Sequence, residues 1–171
     1  MSFLSKLLGT EPDPREALRP LWHKVVELAR APAWYAECGV ADTVTGRFDM
    51  ITAVLSVMMV RLEASDMRSE SAFLAELFVD DMDGQLREFG VNDVVVGKRM
   101  GKLMSLLGGR LGAYRSALVE RDAARLSQAV ERNTSFAEGG SAQCVADRML
   151  ALAERLATID DPTLIKAGTA V

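Results

Sequence analysis

Asp80, Asp81 and Asp83 stand close together in the chain, and no other side chains here come nearer to a metal site in type and spacing. Carboxylates on adjacent helical turns can hold Mg²⁺ against a diphosphate substrate. On a helix, however, Asp80 and Asp83 share a face while Asp81 points elsewhere. No second acidic run of the same kind faces them, and Asp83 has Arg87 four residues on, an ordinary helix pair. A solvated helix face is therefore the preferred reading. Gly97-x-x-x-Gly101-Lys102 approaches a phosphate loop, but it is one residue short between the glycines. It also carries Leu103 where Ser or Thr should meet Mg²⁺, and no strand precedes it. Cys38 and Cys144 form no CxxC pair or metal-ligand cluster, and neither has a base beside it in sequence. The single histidine, His23, is too little for a His-based metal site. Beside Trp22 it reads as a local hydrogen-bonding group rather than a proton carrier. No catalytic, metal-binding or cofactor-binding residue is assigned, and the chain does not read as an enzyme.

The elements that would position these residues are nearly all helical, because apolar residues recur every three or four positions and strand-like alternation is scarce. Met1 to Gly9 is a short amphipathic stretch closed by the breaker Thr10 to Pro14. A first helix is expected from about Pro14 to Arg30, kinked at Pro20 or starting nearer Arg19. A turn with Trp34 and Tyr35 and the loop Gly39 to Gly46 lead to a second helix, Arg47 to Ala64. It is apolar on most sides and so central. The third, about Ser69 to Phe89, aligns Leu74, Phe78, Met82 and Leu86, with Gly90 after it. The fourth runs from Val94 to about Val119, with Val96, Met100, Leu103, Leu107, Leu111, Tyr114 and Leu118 as its apolar stripe. Shorter helices follow at about Asp122 to Asn133 and Ala142 to Ala157, and the end from Thr158 reads as a loose tail. The expectation is an all-α fold: a single compact domain of about six helices over residues 14–157, an N-terminal segment 1–13 and a tail 158–171.

With 171 residues, the chain is long enough to fold without a disulfide or metal staple. Its 49% hydrophobic and 26% charged residues exclude intrinsic disorder. The longest uncharged stretch, Met50 to Val60, is 11 residues, too short to span a bilayer. A formal net charge of −4 argues against wrapping DNA, and the sparse cysteines point to a reducing cytoplasm by default.

The fourth helix is the unusual one. Gly97, Gly101, Ser105, Gly108, Gly109 and Gly112 place a small residue on nearly every turn, and each glycine costs a helix about 1 kcal/mol against alanine. Close packing of a neighbouring core helix would compensate, and so would a shallow groove that accepts a foreign helix. From spacing alone, core packing is preferred. Lys98, Arg99, Lys102, Arg110 and Arg115 lie on this helix with no acidic residue among them. Nine acidic residues occupy Glu63 to Asp93. The basic strip suits RNA or anionic headgroups, while a solvated face paired with nearby acids is the more ordinary outcome. The nine methionines suit a surface that repacks around apolar clients and are equally ordinary core filler.

Several segments resemble the ubiquinol–cytochrome c chaperone family. They are Ala31-Pro-Ala-Trp-Tyr-Ala-Glu-Cys-Gly-Val40, Asp42-Thr43, Gly46-Arg47-Phe48-Asp49, Asp81-Met-Asp83, Leu86-Arg-Glu-Phe-Gly-Val-Asn-Asp93 and Val96-Gly-Lys-Arg-Met100. Glu131-Arg132-Asn133 is a weaker late echo. In order, they cover about Leu21 to Asn133, and none is catalytic. The resemblance implies an all-helical assembly chaperone for the bc1 complex. Such a protein binds newly made, unassembled cytochrome b without covalent chemistry, near the ribosome and membrane surface, and some relatives work with a small partner assembly factor. The chain opens on its amphipathic segment without an Arg/Ser-rich leader, so the resemblance places it in a bacterial cytoplasm, peripheral at the inner membrane. A polytopic membrane client favours the groove on the fourth helix. Met58, Met59, Gly97, Met100, Gly101 and Met104 become the expected client contacts, and Lys98, Arg99 and Lys102 the expected ribosome or membrane contacts. The other classes left open are a helical scaffold or accessory subunit and a Mg-dependent diphosphate-handling helical enzyme.

Overall fold

The computed structural model describes residues 13–88 and 93–166, and side chains at 13–84, 101–102 and 104–166. The expected amphipathic segment Met1 to Gly9 and the loop around Gly90 lie outside the described residues. Pro20 does not kink a long first helix. Pro14–Leu18 is a 3₁₀ turn started by Asp13, whose carboxylate accepts from the Arg15 N–H at 2.9 Å. Helix α1, Arg19–Ala29, then begins with Pro20 in its first turn, where a missing N–H costs nothing. The short α2, Pro32–Ala36, carries Trp34 and Tyr35.

Helix α3, Val44–Ala64, starts three residues before the position expected from the sequence, because Thr43 caps it. Its hydroxyl accepts from the Gly46 N–H at 3.1 Å. As its all-round apolar surface requires, α3 is central, packed against α1, α4 (Arg68–Glu88), α5 (Asp93–Glu120) and α7 (Ala142–Ala157). Helix α6, Ala123–Asn133, bridges α5 and α7. Leu74, Phe78 and Met82 of α4 and Leu107, Leu111, Tyr114 and Leu118 of α5 all join one core that runs from Leu18 to Leu164. The fold is all-α, as expected.

The end of the chain differs from expectation. Residues 158–166 do not form a loose tail, since Asp160 caps α8, Asp161–Ile165, whose Leu164 is fully buried against the rest of the core; the remainder of the expected tail lies outside the described residues. Arg61 secures this end. Its guanidinium donates to the Leu156 carbonyl at 3.0 Å, the Ile159 carbonyl at 2.7 Å and the Asp161 carboxylate at 2.8 Å. It thereby caps the C-terminus of α7 and holds α8 against α3. Among the described residues no helix is long and apolar enough to cross a membrane.

Candidate functional site

The segments singled out in the sequence turn out to be joints. At the end of α1, the Trp34 indole N–H donates to the Leu28 carbonyl at 2.8 Å and the Tyr35 hydroxyl to the Ala29 carbonyl at 2.9 Å. These bonds satisfy carbonyls that the helix itself leaves open. Burial pushes the Tyr35 pKa up, with Arg47 and Arg30 opposing and Asp42 adding to the rise. At Gly46, a Cβ would sit 1.9 Å from the Ala41 carbonyl oxygen, so only glycine allows the loop to enter α3 so tightly. Phe48 packs beside Phe78, with ring centroids 6.0 Å apart.

Asp49, only 2% exposed, is the anchor. Its Oδ1 accepts from Arg110 of α5 at 2.5 Å and its Oδ2 from the Ser135 backbone N–H at 2.9 Å. Arg110 also donates to the Thr52 hydroxyl at 2.5 Å and lies over the Phe48 ring, 5.3 Å from its centroid. Both carboxylate oxygens are therefore engaged, as a buried charge requires. One node ties α3, α5 and the loop after α6. Tyr114 is fully buried beside it, and burial pushes its pKa up to about 12, with the Arg110 charge opposing. The Tyr114 and Thr134 hydroxyls are both buried outside hydrogen-bonding geometry.

The node holds α5 so that one side of the helix faces outward. Gly101, Gly108, Gly109 and Gly112 are exposed, and a Cβ added at any of them meets nothing within 4 Å among the described residues. At 3.6 residues per turn, Gly101, Ser105, Gly108, Gly112 and Val119 form one stripe, about a third of a turn from the buried line of Leu107, Leu111 and Leu118. Core packing, preferred from spacing, is thus not the reason for these glycines. Met104 flanks the stripe at 42% exposure. Val119, 68% exposed, joins it to an apolar cleft of about 220 Å³ lined by Val57, Val60, Leu118, Leu150 and Ala153.

Of the expected client contacts, Gly101 and Met104 are on this outward surface, whereas Met58 and Met59 are not. They are 0% and 7% exposed inside the core, because α3 has no free side, and they are withdrawn from any surface site. Gly97, Lys98, Arg99 and Met100 lie outside the residues whose side chains are described. Lys102 is exposed, with no ion pair among the described residues. Arg110 and Arg115 of the basic strip are paired with acids of α3, Arg115 with Glu63 at 3.0 Å.

The acidic cluster is partly committed too. Asp80 accepts from Arg15 at 2.7 Å, and no group of three His, Cys, Asp or Glu able to hold a metal occurs among the described residues. Among the described residues, His23 does not make the local hydrogen bond expected of it. It is exposed in an open cleft of about 530 Å³ between α1 and α4, shared with Arg19, Arg30 and Asp81. Cys38 and Cys144, unpaired in the sequence reading, form a disulfide across 106 residues. The residues missed were Asp49, Thr52, Arg110 and Ser135. Their signal was a carboxylate beside the apolar run Met50 to Val60 and an arginine between Leu107 and Leu111.

Among the described residues the chain is all-helical, with a buried polar node beneath an outward helix face of small residues, the architecture of an all-α protein class. The ubiquinol–cytochrome C chaperone family matches residues 36–171, and the chain belongs to that family. It is also similar to the crystal structure of the Cbp3 homolog from Brucella abortus, at 29% identity and a TM-score of 0.76. That likeness covers 98% of this chain and 94% of the other. Comparison with curated proteins gives no match.

Proposed function

We propose that this chain is an assembly chaperone of the bc1 complex that holds newly synthesised cytochrome b non-covalently until assembly. The observation that carries this reading, beside the family, is the outward face of α5. Open space lies over Gly101, Gly108 and Gly112, with exposed Met104 at the edge. Small residues let two helix backbones approach closely, and a polytopic membrane protein is the client that offers bare apolar helices. Client contact is assigned to Gly101, Met104, Ser105, Gly108 and Gly112, and on sequence grounds to Gly97 and Met100. Burial on both sides, at roughly 25 cal/mol per Å² of apolar area, supplies the affinity, and formation of the client's own helix contacts releases it.

Gly101→Leu combined with Gly108→Leu tests the face. Because nothing occupies the space over either residue, both variants fold normally, with unchanged helical circular dichroism. Co-purification of cytochrome b from growing cells should drop at least tenfold. Undiminished capture by the folded variant sinks the assignment. Lys98, Arg99 and Lys102 are proposed to contact the ribosome or anionic headgroups beside this face, with the chaperone peripheral at the inner membrane. Replacing all three with Gln should abolish sedimentation with ribosomes or anionic vesicles at about 0.15 M salt, where screening leaves only close contacts.

A further inference from the structure

The disulfide lies where two loops from opposite ends of the chain are zipped together. Ser141 N–H donates to the Cys38 carbonyl at 2.8 Å, Ala137 N–H to the Gly39 carbonyl at 2.9 Å and Ala41 N–H to the Ser135 carbonyl at 2.9 Å. Glu37 pairs with Arg148 on one side. Gly39, at φ +70°, lies so close to the other loop that a Cβ there would be 2.6 Å from the Gly140 Cα. A Cβ on Gly140 would in turn be 2.6 Å from the Gly39 oxygen. The Cα atoms of Cys38 and Cys144 are 5.3 Å apart, the ordinary span of a disulfide.

The two sulfurs are not equivalent. Cys38 is 1% exposed, while Cys144 is half-buried in the first turn of the 16-residue α7, where the Ser141 hydroxyl accepts from its N–H at 3.2 Å. A helix N-terminus favours a thiolate, and apolar burial disfavours one. Access makes the Cys144 sulfur the one an external thiolate reaches, and thiolate stability makes Cys144 the attacking group when the bond re-forms.

We propose that Cys38–Cys144 is a redox-responsive clasp on the loop junction, opened and closed through Cys144. A dithiol reductant, small or protein-borne, opens it in two steps. Its first thiolate attacks the Cys144 sulfur, the Cys38–Cys144 bond breaks, and the Cys38 sulfur leaves with the electron pair and takes up a proton. The reductant's second thiolate then attacks the mixed disulfide and expels the Cys144 thiolate. The dithiol ends as a disulfide, and two cysteine thiols are formed. Cys38 belongs to the core, but the bond joins only the junction loop to the first turn of α7, so the remaining helix contacts keep the core folded, whereas the junction loses its only covalent tie among the described residues. The junction also carries Ser135, which donates to Asp49, so opening extends to the node under α5. This device does not depend on what α5 binds.

Hydrogen exchange on the full chain, oxidised and after dithiothreitol, tests it. On reduction, the amides of residues 39–41 and 135–141 should exchange at least tenfold faster, while those of α3 keep their protection. Brief alkylation of the reduced protein should label Cys144 at least tenfold faster than Cys38. The double variant Cys38→Ser/Cys144→Ser should show the fast pattern without reductant. Unchanged exchange at 135–141, faster labelling of Cys38, or two free thiols that oxidised glutathione fails to join would each overturn the clasp.

Discussion

Asp49 shows how much one side chain can decide. It is a carboxylate 2% exposed, and its charge is tolerable only because Arg110, itself 12% exposed, and the Ser135 N–H meet it. Asp49→Ala leaves the guanidinium buried without its partner, which should cost about 3–5 kcal/mol of stability in a urea titration. Removing the exposed Arg47–Asp42 pair at the start of the same helix should leave the urea midpoint nearly unchanged. Tyr114 presents the opposite case. Its buried hydroxyl has the Thr134 hydroxyl as a neighbour but meets no described group in good hydrogen-bonding geometry, so Tyr114→Phe should keep or raise stability at pH 7. The pH dependence carries a definite sign. The folded pKa is raised to about 12 from 10.0, so the unfolded chain gives up this proton first. Stability is then full below pH 10 and falls as pH rises toward 12. Tyr114→Phe should flatten that alkaline fall in urea titrations between pH 9 and 12; an identical fall in both proteins would refute this origin.

Helix α5 separates two uses of glycine. At Gly46 a methyl group would strike the Ala41 carbonyl, and Gly46→Ala should destabilise. On α5 the space over Gly108 and Gly112 is empty. Each of Gly108→Ala and Gly112→Ala should therefore stabilise the fold by about 0.5–1 kcal/mol, read as an increase in urea midpoint. A loss of stability would show that these glycines serve packing after all. Helix α5 gives up that stability in exchange for a flat surface, which makes sense only if something else lies against it. The glycine repeat itself was legible in the sequence. Its direction was not, because spacing says which residues share a face and nothing about which neighbour, if any, that face meets.

Across the whole molecule, the core is continuous from the 3₁₀ turn to α8, so the two ends of the chain are energetically one body. Leu164, fully buried, belongs to it despite lying in a stretch that reads as polar and terminal. Leu164→Ala should cost about 2–5 kcal/mol, and a cost near zero would return residues 158–166 to the status of a tail. The charge asymmetry read along the sequence is also partly spent internally. Arg110 and Arg115 neutralise Asp49 and Glu63 of α3, leaving Lys102 as the described cation of that strip with no ion pair among the described residues.

Local chemistry is legible along the chain. The three- and four-residue spacing of apolar side chains specified the helices and the centrality of α3, and the ordered motifs specified the family. Features that depend on partners far away in the chain emerge from the packing alone. Asp49 meets Arg110 across 61 residues and Ser135 across 86, and Cys38 meets Cys144 across 106. No periodicity records such pairings, since a buried polar group is defined by the groups that satisfy it. For the same reason Met58 and Met59 read as surface candidates until α3 was surrounded on every side. The glycines of α5 likewise read as packing residues until nothing was found over them.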